Sequence, residues 1–456
     1  MRFGGSEIRK GLGPLQQFVQ TEHAGGAMLG IAAVIALIWA NTFPDAYDDF
    51  WHQDIGLTIG DWTPSLTLEH FVVDGLMALF FFVVGMEIKR ELTIGELRER
   101  RVALLPVFAA AGGMVVPAAV FVIIALGAGD TEALRGWGIP MATDLAFALG
   151  ALSLVSRHVP VQLAVFLLAV AVVDDIGAIA VIAIFYTSGV SLLWLGACVA
   201  VLGLVHLAVR RHAQIAPIYI ALGILAWYAA YKSGVHPTIA GVAMGLLMPV
   251  FSTRPDNSAI PAALAEVDRI ERVRGDHGQE ISGWQSLSRL GRESVPILER
   301  YEYFLHPWTS FLILPLFALA EAGIVIRGDT VEAAATSPIT IGVAAGLVVG
   351  KILGIFLGAW IPTRLGLCDL PERVYWPHIA GVGALAGIGF TVAIFVAGLA
   401  YEDDALVDEA KIGILLASVA AAVLGALWLR FVGHLDDGVL DPDEIDLTTG
   451  ETGSPA

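Results

Sequence analysis

The sequence predicts an all-α polytopic membrane protein of about twelve transmembrane helices. Three observations lead there. Apolar residues make up 56% of the chain and charged ones 15%, against roughly 25% charged in a soluble domain. The mean hydropathy is +0.74, and no soluble interior is large enough to hide that much apolar surface. Twelve apolar stretches, each long enough to cross a bilayer as a helix of ~17–25 residues, follow one another along the chain. Two cysteines in 456 residues exclude a disulfide scaffold.

The stretches lie at 24–41, 66–86, 102–127, 138–155, 162–186, 191–209, 215–231, 235–251, 306–326, 339–361, 380–400 and 411–430, numbered here as spans 1 to 12. Span 1 follows Arg9 and Lys10 as a secretory signal would. It exits through Trp39-Ala40-Asn41-Thr42 with no Ala-x-Ala cleavage site, so a retained helix is expected. The organisation reads as an N-terminal segment 1–23, spans 1–8 over 24–251, a polar insertion 252–305, spans 9–12 over 306–430, and an acidic disordered tail 431–456. The insertion carries Pro255, Pro261 and seven arginines among acids, and Ala262–Arg274 is expected to form a surface helix.

Orientation follows from the cations. Twenty-one Lys and Arg fall on the side of the two termini. Arg135, Lys232, Arg327 and Lys411 fall on the other, which places both termini in the cytoplasm. The external loop after span 1 fits, with Asp45, Asp48, Asp49, Asp54 and Asp61 and no Lys or Arg. The net charge of −18 belongs mostly to tails and loops, and no basic footprint for nucleic acid is present.

A charge at mid-bilayer costs at least ~2.5–3.5 kcal/mol, so each one asks for a reason. Asp174 and Asp175 sit at the centre of span 5, which has no other charge. Adjacent helical residues point ~100° apart, so one carboxylate can face a neighbouring helix and the other a cavity. Close carboxylates in a low dielectric favour holding protons, and hard oxygen ligands suit a hard monovalent cation, Na⁺ or Li⁺. Lys351 lies about 10–12 residues from either end of span 10, or ~15–18 Å, too deep to snorkel. Asp174 or Asp175 is its expected counter-ion. Asp74 in span 2 reads equally as part of a cation path or as a packing hydrogen bond.

Two spans look broken. Span 4 is short, contains Pro140 and places Thr143 beside Asp144. Span 11 contains Gly381, Gly383, Gly387 and Gly389, after which Thr391 can cap a restarted helix. Interrupted helices expose opposed dipole ends, which an Asp and a Lys at mid-depth can offset. Spans 3–5 and 10–12 would then correspond with opposite membrane direction, the arrangement of inverted-repeat transporters.

Several ordered strings resemble the NhaA-type Na⁺/H⁺ antiporters of bacterial inner membranes. They are Gly85-Met86-Glu87-Ile88-Lys89-Arg90-Glu91-Leu92, Ile139-Pro140-Met141-Ala142-Thr143-Asp144-Leu145-Ala146-Phe147 and Val173-Asp174-Asp175-Ile176-Gly177. Ser233-Gly234-Val235-His236, Leu305-His306-Pro307-Trp308, Gly350-Lys351 and Gly387-Ile388-Gly389-Phe390-Thr391 complete the set, which covers roughly Ala24 to Arg430. The resemblance implies two inverted-topology repeats with crossed broken helices at spans 4 and 11, in a non-enzymatic transporter without cofactors. Its partners would be Na⁺ or Li⁺, H⁺ and the lipid bilayer, with a homodimer left open.

Carried over by position, the resemblance makes Asp175 the main cation and proton ligand, Asp174 its partner in transient Na⁺ or Li⁺ binding, and Lys351 the counter-ion of Asp174. Thr143 and Asp144 would adjoin that site at the helix crossing. Glu87, Arg90, Glu91, Glu302 and His306 would belong to the pH response, and His236 at the mouth of span 8 can tune it by titrating near neutrality. Two departures concern that response: the insertion before Glu302 is long, and Tyr303 stands where the family pattern has histidine. An acid at 174 favours electrogenic exchange.

Two rival classes share some of these features. An intramembrane aspartyl protease would also use two aspartates, and Gly127-Ala128-Gly129-Asp130 and Tyr47-Asp48 supply its short motifs, though in external loops. A sodium-coupled solute symporter would need an organic-solute pocket, for which the sequence has no signature. No Walker motif is present.

Overall fold

The computed structural model describes residues 5–56, 65–155, 159–187, 189–211, 216–252 and 256–434. Asp61 and the acidic tail beyond His434 lie outside the described residues. Helix dominates what is described, because a bilayer offers no water to satisfy backbone groups and a helix satisfies its own. Strand Asp54–Gly56 pairs antiparallel with Ser65–Thr67, with Ile55 opposite Leu66.

Among the described residues, eight helices are long and apolar enough to cross a membrane, and the bent pair Trp376–Leu385 and Phe390–Ala400 makes a ninth. These fall on spans 1, 2, 3, 5, 6, 9, 10, 12 and, for the pair, 11. The other three spans are helical as well. Span 4 is a 3₁₀ helix Ala133–Met141 followed by an α-helix Leu145–Ser153, span 7 is Ala216–Ser233, and span 8 is the shorter Pro237–Leu247. Helix Gly5–Thr42 takes in most of the N-terminal segment, and the last helix, Asp404–His434, runs into what the sequence suggests is tail.

The chain forms two compact units, each assembled from separated pieces. The first comprises Met1–Met77, Glu96–Ser188 and Trp308–Ala456, the second Ala78–Gly95 and Gly189–Pro307. Packing therefore does not follow chain order: spans 2 and 9 each contribute to both units.

In the first unit, the helix of span 3, Arg100–Ala128, crosses that of span 10, Lys351–Arg364, backbone on backbone. A Cβ on Gly112 would sit 2.1 Å from the Gly354 carbonyl oxygen, and one on Gly354 would sit 2.3 Å from that of Gly112. Small residues permit such close approach between membrane helices. Leu105, Ala109, Leu149, Leu163, Leu167, Ile355, Ala359 and Val382 fill the core beside it. Gly354→Val drives side-chain carbons into a backbone that cannot yield, at a cost of about 1–3 kcal/mol or more. Its monodisperse peak in detergent chromatography should collapse, whereas Gly127→Val, with nothing within 4 Å of its Cβ, should match the parent. Equal profiles for both would show that the crossing is looser than this.

Among the described residues, three π-helical turns interrupt the unit's spans, at Phe71–Leu76 around Asp74, at Thr309–Ile313, and at Gly346–Gly350 directly before Lys351. A π turn absorbs one extra residue and rotates the side chains after it, and such turns recur at functional sites.

The second unit has its own close crossing, where a Cβ on Gly85 would meet the Val242 carbonyl oxygen at 2.5 Å. Val83, Met86, Val205, Tyr219, Met244, Met248 and Leu298 form its core. The insertion contains a hairpin of two helices, Asp256–Arg272 and His277–Ser294, and its last residues already belong to helix Ile297–Trp308. The sequence points only to the first. The second escapes notice because it is polar and rich in Ser and Gly; its start is fixed by Asp276, whose carboxylate accepts from the Gly278 and Gln279 N–H groups.

Candidate functional site

Both broken spans lie in the first unit, and their breaks meet. In span 4 the helix stops at Met141 and restarts at Leu145, with Asp144 as N-cap. In span 11 it stops at Leu385 and restarts at Phe390. The Asp144 N–H donates to the Ile388 carbonyl at 2.6 Å, joining the two breaks through backbone. One oxygen of Asp144 accepts from Phe147 N–H at 3.1 Å. The other accepts from the Thr391 N–H at 3.1 Å and the Thr391 hydroxyl at 2.5 Å. A single buried carboxylate thus serves the positive ends of two half-helices. This corrects the expected role of Thr391: the N-cap is Gly389, which has no side chain to offer, and the capping oxygen arrives from the other broken helix.

The opposite half-helix ends present carbonyls; Lys351 answers that of span 4 and Thr143 that of span 11. The Lys351 Nζ donates to the Met141 carbonyl, lies 3.0 Å from the Thr143 hydroxyl and lies 2.5 Å from Asp174 Oδ2. The Thr143 hydroxyl is 2.7 Å from Asp174 Oδ2 and 2.9 Å from the Ala386 carbonyl, and its single proton can serve only one of them at a time. Lys351 is 0% exposed and Asp174 1%. Of the two candidate counter-ions, Asp174 is therefore the one in contact. Asp174 Oδ1 is buried and has no hydrogen-bond partner among the described residues. Asp175, one residue on, is only partly buried.

The remaining site candidates are not all gathered here. Asp74 lies in the first unit, partly buried inside its π turn. In the second unit Arg90 pairs with Glu302 through Nη1 and lies 3.4 Å from Glu91 through Nη2, with Glu302 and Glu91 both buried. Glu87 lies one turn before Glu91 on the same helix, and His306 lies one turn beyond Glu302. His236 is not brought to this group. It is the N-cap of Pro237–Leu247, whereas Pro249, past the far end of that helix, is what bonds Leu298 near Glu302.

Sequence reasoning missed a further, largely buried ion pair. Lys411, counted among the external-loop cations, lies on the last helix with its Nζ 3.0 Å from Glu321 Oε2. Glu321 drew no notice because an acid near a span end costs little by itself; the signal would have been two opposite charges, one near the end of span 9 and one at the start of span 12. The protease motifs lead elsewhere. Asp130 caps a turn by accepting from the Glu132 and Ala133 N–H groups, and Asp48 faces solvent beside His52.

A family model described as Na⁺/H⁺ antiporter 1 matches residues 16–429. The Na⁺/H⁺ antiporter NhaA 2 of Myxococcus xanthus is 42% identical over 446 residues, covering 96% of this chain and 93% of that protein. The NhaA antiporter of Oleidesulfovibrio alaskensis is 43% identical over 434 residues, 93% of this chain and 95% of that one. That of Janthinobacterium sp. is 41% identical over 421 residues, 91% and 92% of the respective chains. A match along nearly the whole length on both sides leaves one conclusion: the chain belongs to the Na⁺/H⁺ antiporter 1 family.

Proposed function

We propose that the protein is a secondary transporter, not an enzyme, that exchanges cytoplasmic Na⁺ or Li⁺ for external H⁺ across a bacterial inner membrane. Na⁺/H⁺ exchange is the activity its relatives' names carry. Cation and protons compete for Asp174 and Asp175. The observation that carries this reading is the Asp174–Lys351 pair, buried between two broken helices with one carboxylate oxygen left without a partner. That oxygen and the partly buried Asp175 beside it offer acceptor positions for a hard cation, while Met141 O and Thr143 remain as partners for Lys351 when Asp174 is engaged.

Loading with Na⁺ draws Asp174 away from Lys351, and protons leave from Asp175 and from the buried Lys351 ammonium that has lost its anion. The bundle then exposes the site to the outside, Na⁺ leaves, and external protons restore the starting arrangement. When more protons enter than Na⁺ leaves, each net charge contributes ~2.3 kcal/mol per 100 mV to extrusion, so exchange is electrogenic. Glu87, Arg90, Glu91, Glu302 and His306 set its pH dependence. Both termini face the cytoplasm, a reading the cation count supports.

The test uses everted vesicles with an acid interior and a ΔpH-reporting dye. NaCl and LiCl should dequench the dye and choline chloride should not. Asp175→Asn, expressed to the same level, should slow the response at least about a hundredfold, the ~2.7 kcal/mol scale of one lost ionic ligand. No Na⁺ or Li⁺ response at any pH would overturn the reading. Exchange surviving in Asp175→Asn would move the site away from this carboxylate.

A further inference from the structure

The insertion hairpin carries an apolar face that its own packing leaves uncovered. Ile260, Leu264 and Val267, spaced four and three apart, form one stripe on the first helix, and Ile281 and Trp284 form another on the second. These five side chains are 42–70% exposed, while the residues that join the two helices, Ile270 and Gly283, are buried. A polar connection has no reason to expose five large apolar side chains to water.

We propose that the hairpin lies on the cytoplasmic leaflet with this face sunk into the headgroup–acyl boundary of the bilayer. The chain's continuity argues for lipid as the occupant. Only Val295 and Pro296 separate the second helix from Ile297–Trp308, which runs on into span 9. Eight residues separate the first helix from span 8. Exposed apolar side chains also flank the hairpin along the chain, Phe251 before it and Val295, Tyr303 and Phe304 after it, up to 85% exposed. A helix so tethered, with Trp284 on its apolar face and Arg289 and Arg292 one to two turns further on, has the composition of an interfacial helix.

Charge tells which lipid property matters. Residues 258–294 hold five arginines and six Asp or Glu, so the hairpin has almost no net attraction to an anionic surface. Its attachment comes from apolar burial and is insensitive to anionic lipid content.

The full-length protein, with Cys198 and Cys368 replaced by Ala, would be spin-labelled through Leu264→Cys or Trp284→Cys in proteoliposomes. Arg274→Cys in the turn between the helices serves as the aqueous reference, and the exposed, mid-span Val199→Cys as the lipid reference. Positions 264 and 284 should show an oxygen-to-nickel-chelate accessibility ratio several-fold above position 274, at a depth of about 5–10 Å. The ratio should be the same in phosphatidylcholine with or without phosphatidylglycerol. A ratio equal to that at 274 would make the face solvated. Exclusion of both reagents would mean protein covers it, a second copy included, and a ratio that rises only with phosphatidylglycerol would make attachment electrostatic; each overturns the proposal. A background that fails to fold is bypassed by brominated phosphatidylcholine, which should quench the unlabelled parent more than Trp284→Leu, and equal quenching overturns it too.

Discussion

Lys351→Met should unfold at a markedly lower temperature than the parent, with a loss of about 3–5 kcal/mol, the cost of leaving one member of a buried ion pair alone. Met keeps an unbranched side chain one atom shorter, so the substitution removes the ammonium, with its charge and donors, at little loss of volume. Asp174 Oδ2 then keeps the Thr143 hydroxyl alone, and the Met141 carbonyl loses its donor. Asp174→Asn should also destabilise, because an ammonium that is 0% exposed is left without an anion. The double variant should recover most of the loss, since a neutral amide beside a thioether leaves no buried charge and replacement of a whole pair is often neutral. Scanning fluorimetry of the four proteins in one detergent closes the cycle, with a coupling of about 2 kcal/mol or more expected for groups in direct contact. Additive single effects would mean that the two groups are not ionised beside each other. All three variants should lose exchange, which separates stability from function: the double variant folds and does not transport.

What could be read from the sequence, and what could not, follows from the range of the interactions. Span 5 with Asp174 and Asp175, and span 10 with Lys351, stand out because charge in an apolar run is a local anomaly. The breaks in spans 4 and 11 stand out because Pro140 and Gly387 act on their own backbone. The partners of those charges are long-range. That Lys351 takes Asp174 rather than Asp175 depends on the rotation of two helices, which the π turn at Gly346–Gly350 alters and no periodicity announces. The Met141 and Ala386 carbonyls are equally invisible, since a backbone acceptor looks the same at every residue until a helix ends there. Thr391 shows the same limit. Residue type and position suggested a cap made within one segment, whereas the cap comes from Asp144, 247 residues earlier.

Asp144 is where that long-range geometry should prove most costly to disturb. Its carboxylate accepts three hydrogen bonds, one from the start of Leu145–Ser153 and two from Thr391 near the start of Phe390–Ala400. Asp144→Ala leaves the part-buried Phe147 N–H and the buried Thr391 N–H without their acceptor, at about 1–3 kcal/mol each, and leaves two positive helix ends facing one another without an anion. A loss of about 4 kcal/mol is expected, or failure to accumulate. Asp144→Asn keeps the shape and one acceptor, but turns the other oxygen into a donor that must face an N–H or a hydroxyl already donating. That reversal, together with the lost charge, should cost about 2–3 kcal/mol. Thr391→Val removes only the hydroxyl donor at 2.5 Å and leaves the N–H bond and the charge intact, so about 1 kcal/mol is expected. The order Ala, then Asn, then Thr391→Val in unfolding temperature tests whether the anion or the single hydroxyl holds the crossing. If Thr391→Val matched Asp144→Asn, the hydroxyl bond would dominate and the helix-end electrostatics would count for little. If the order holds, the crossing is kept by one negative charge shared between two helix starts, and the Na⁺ response should fall in the same order.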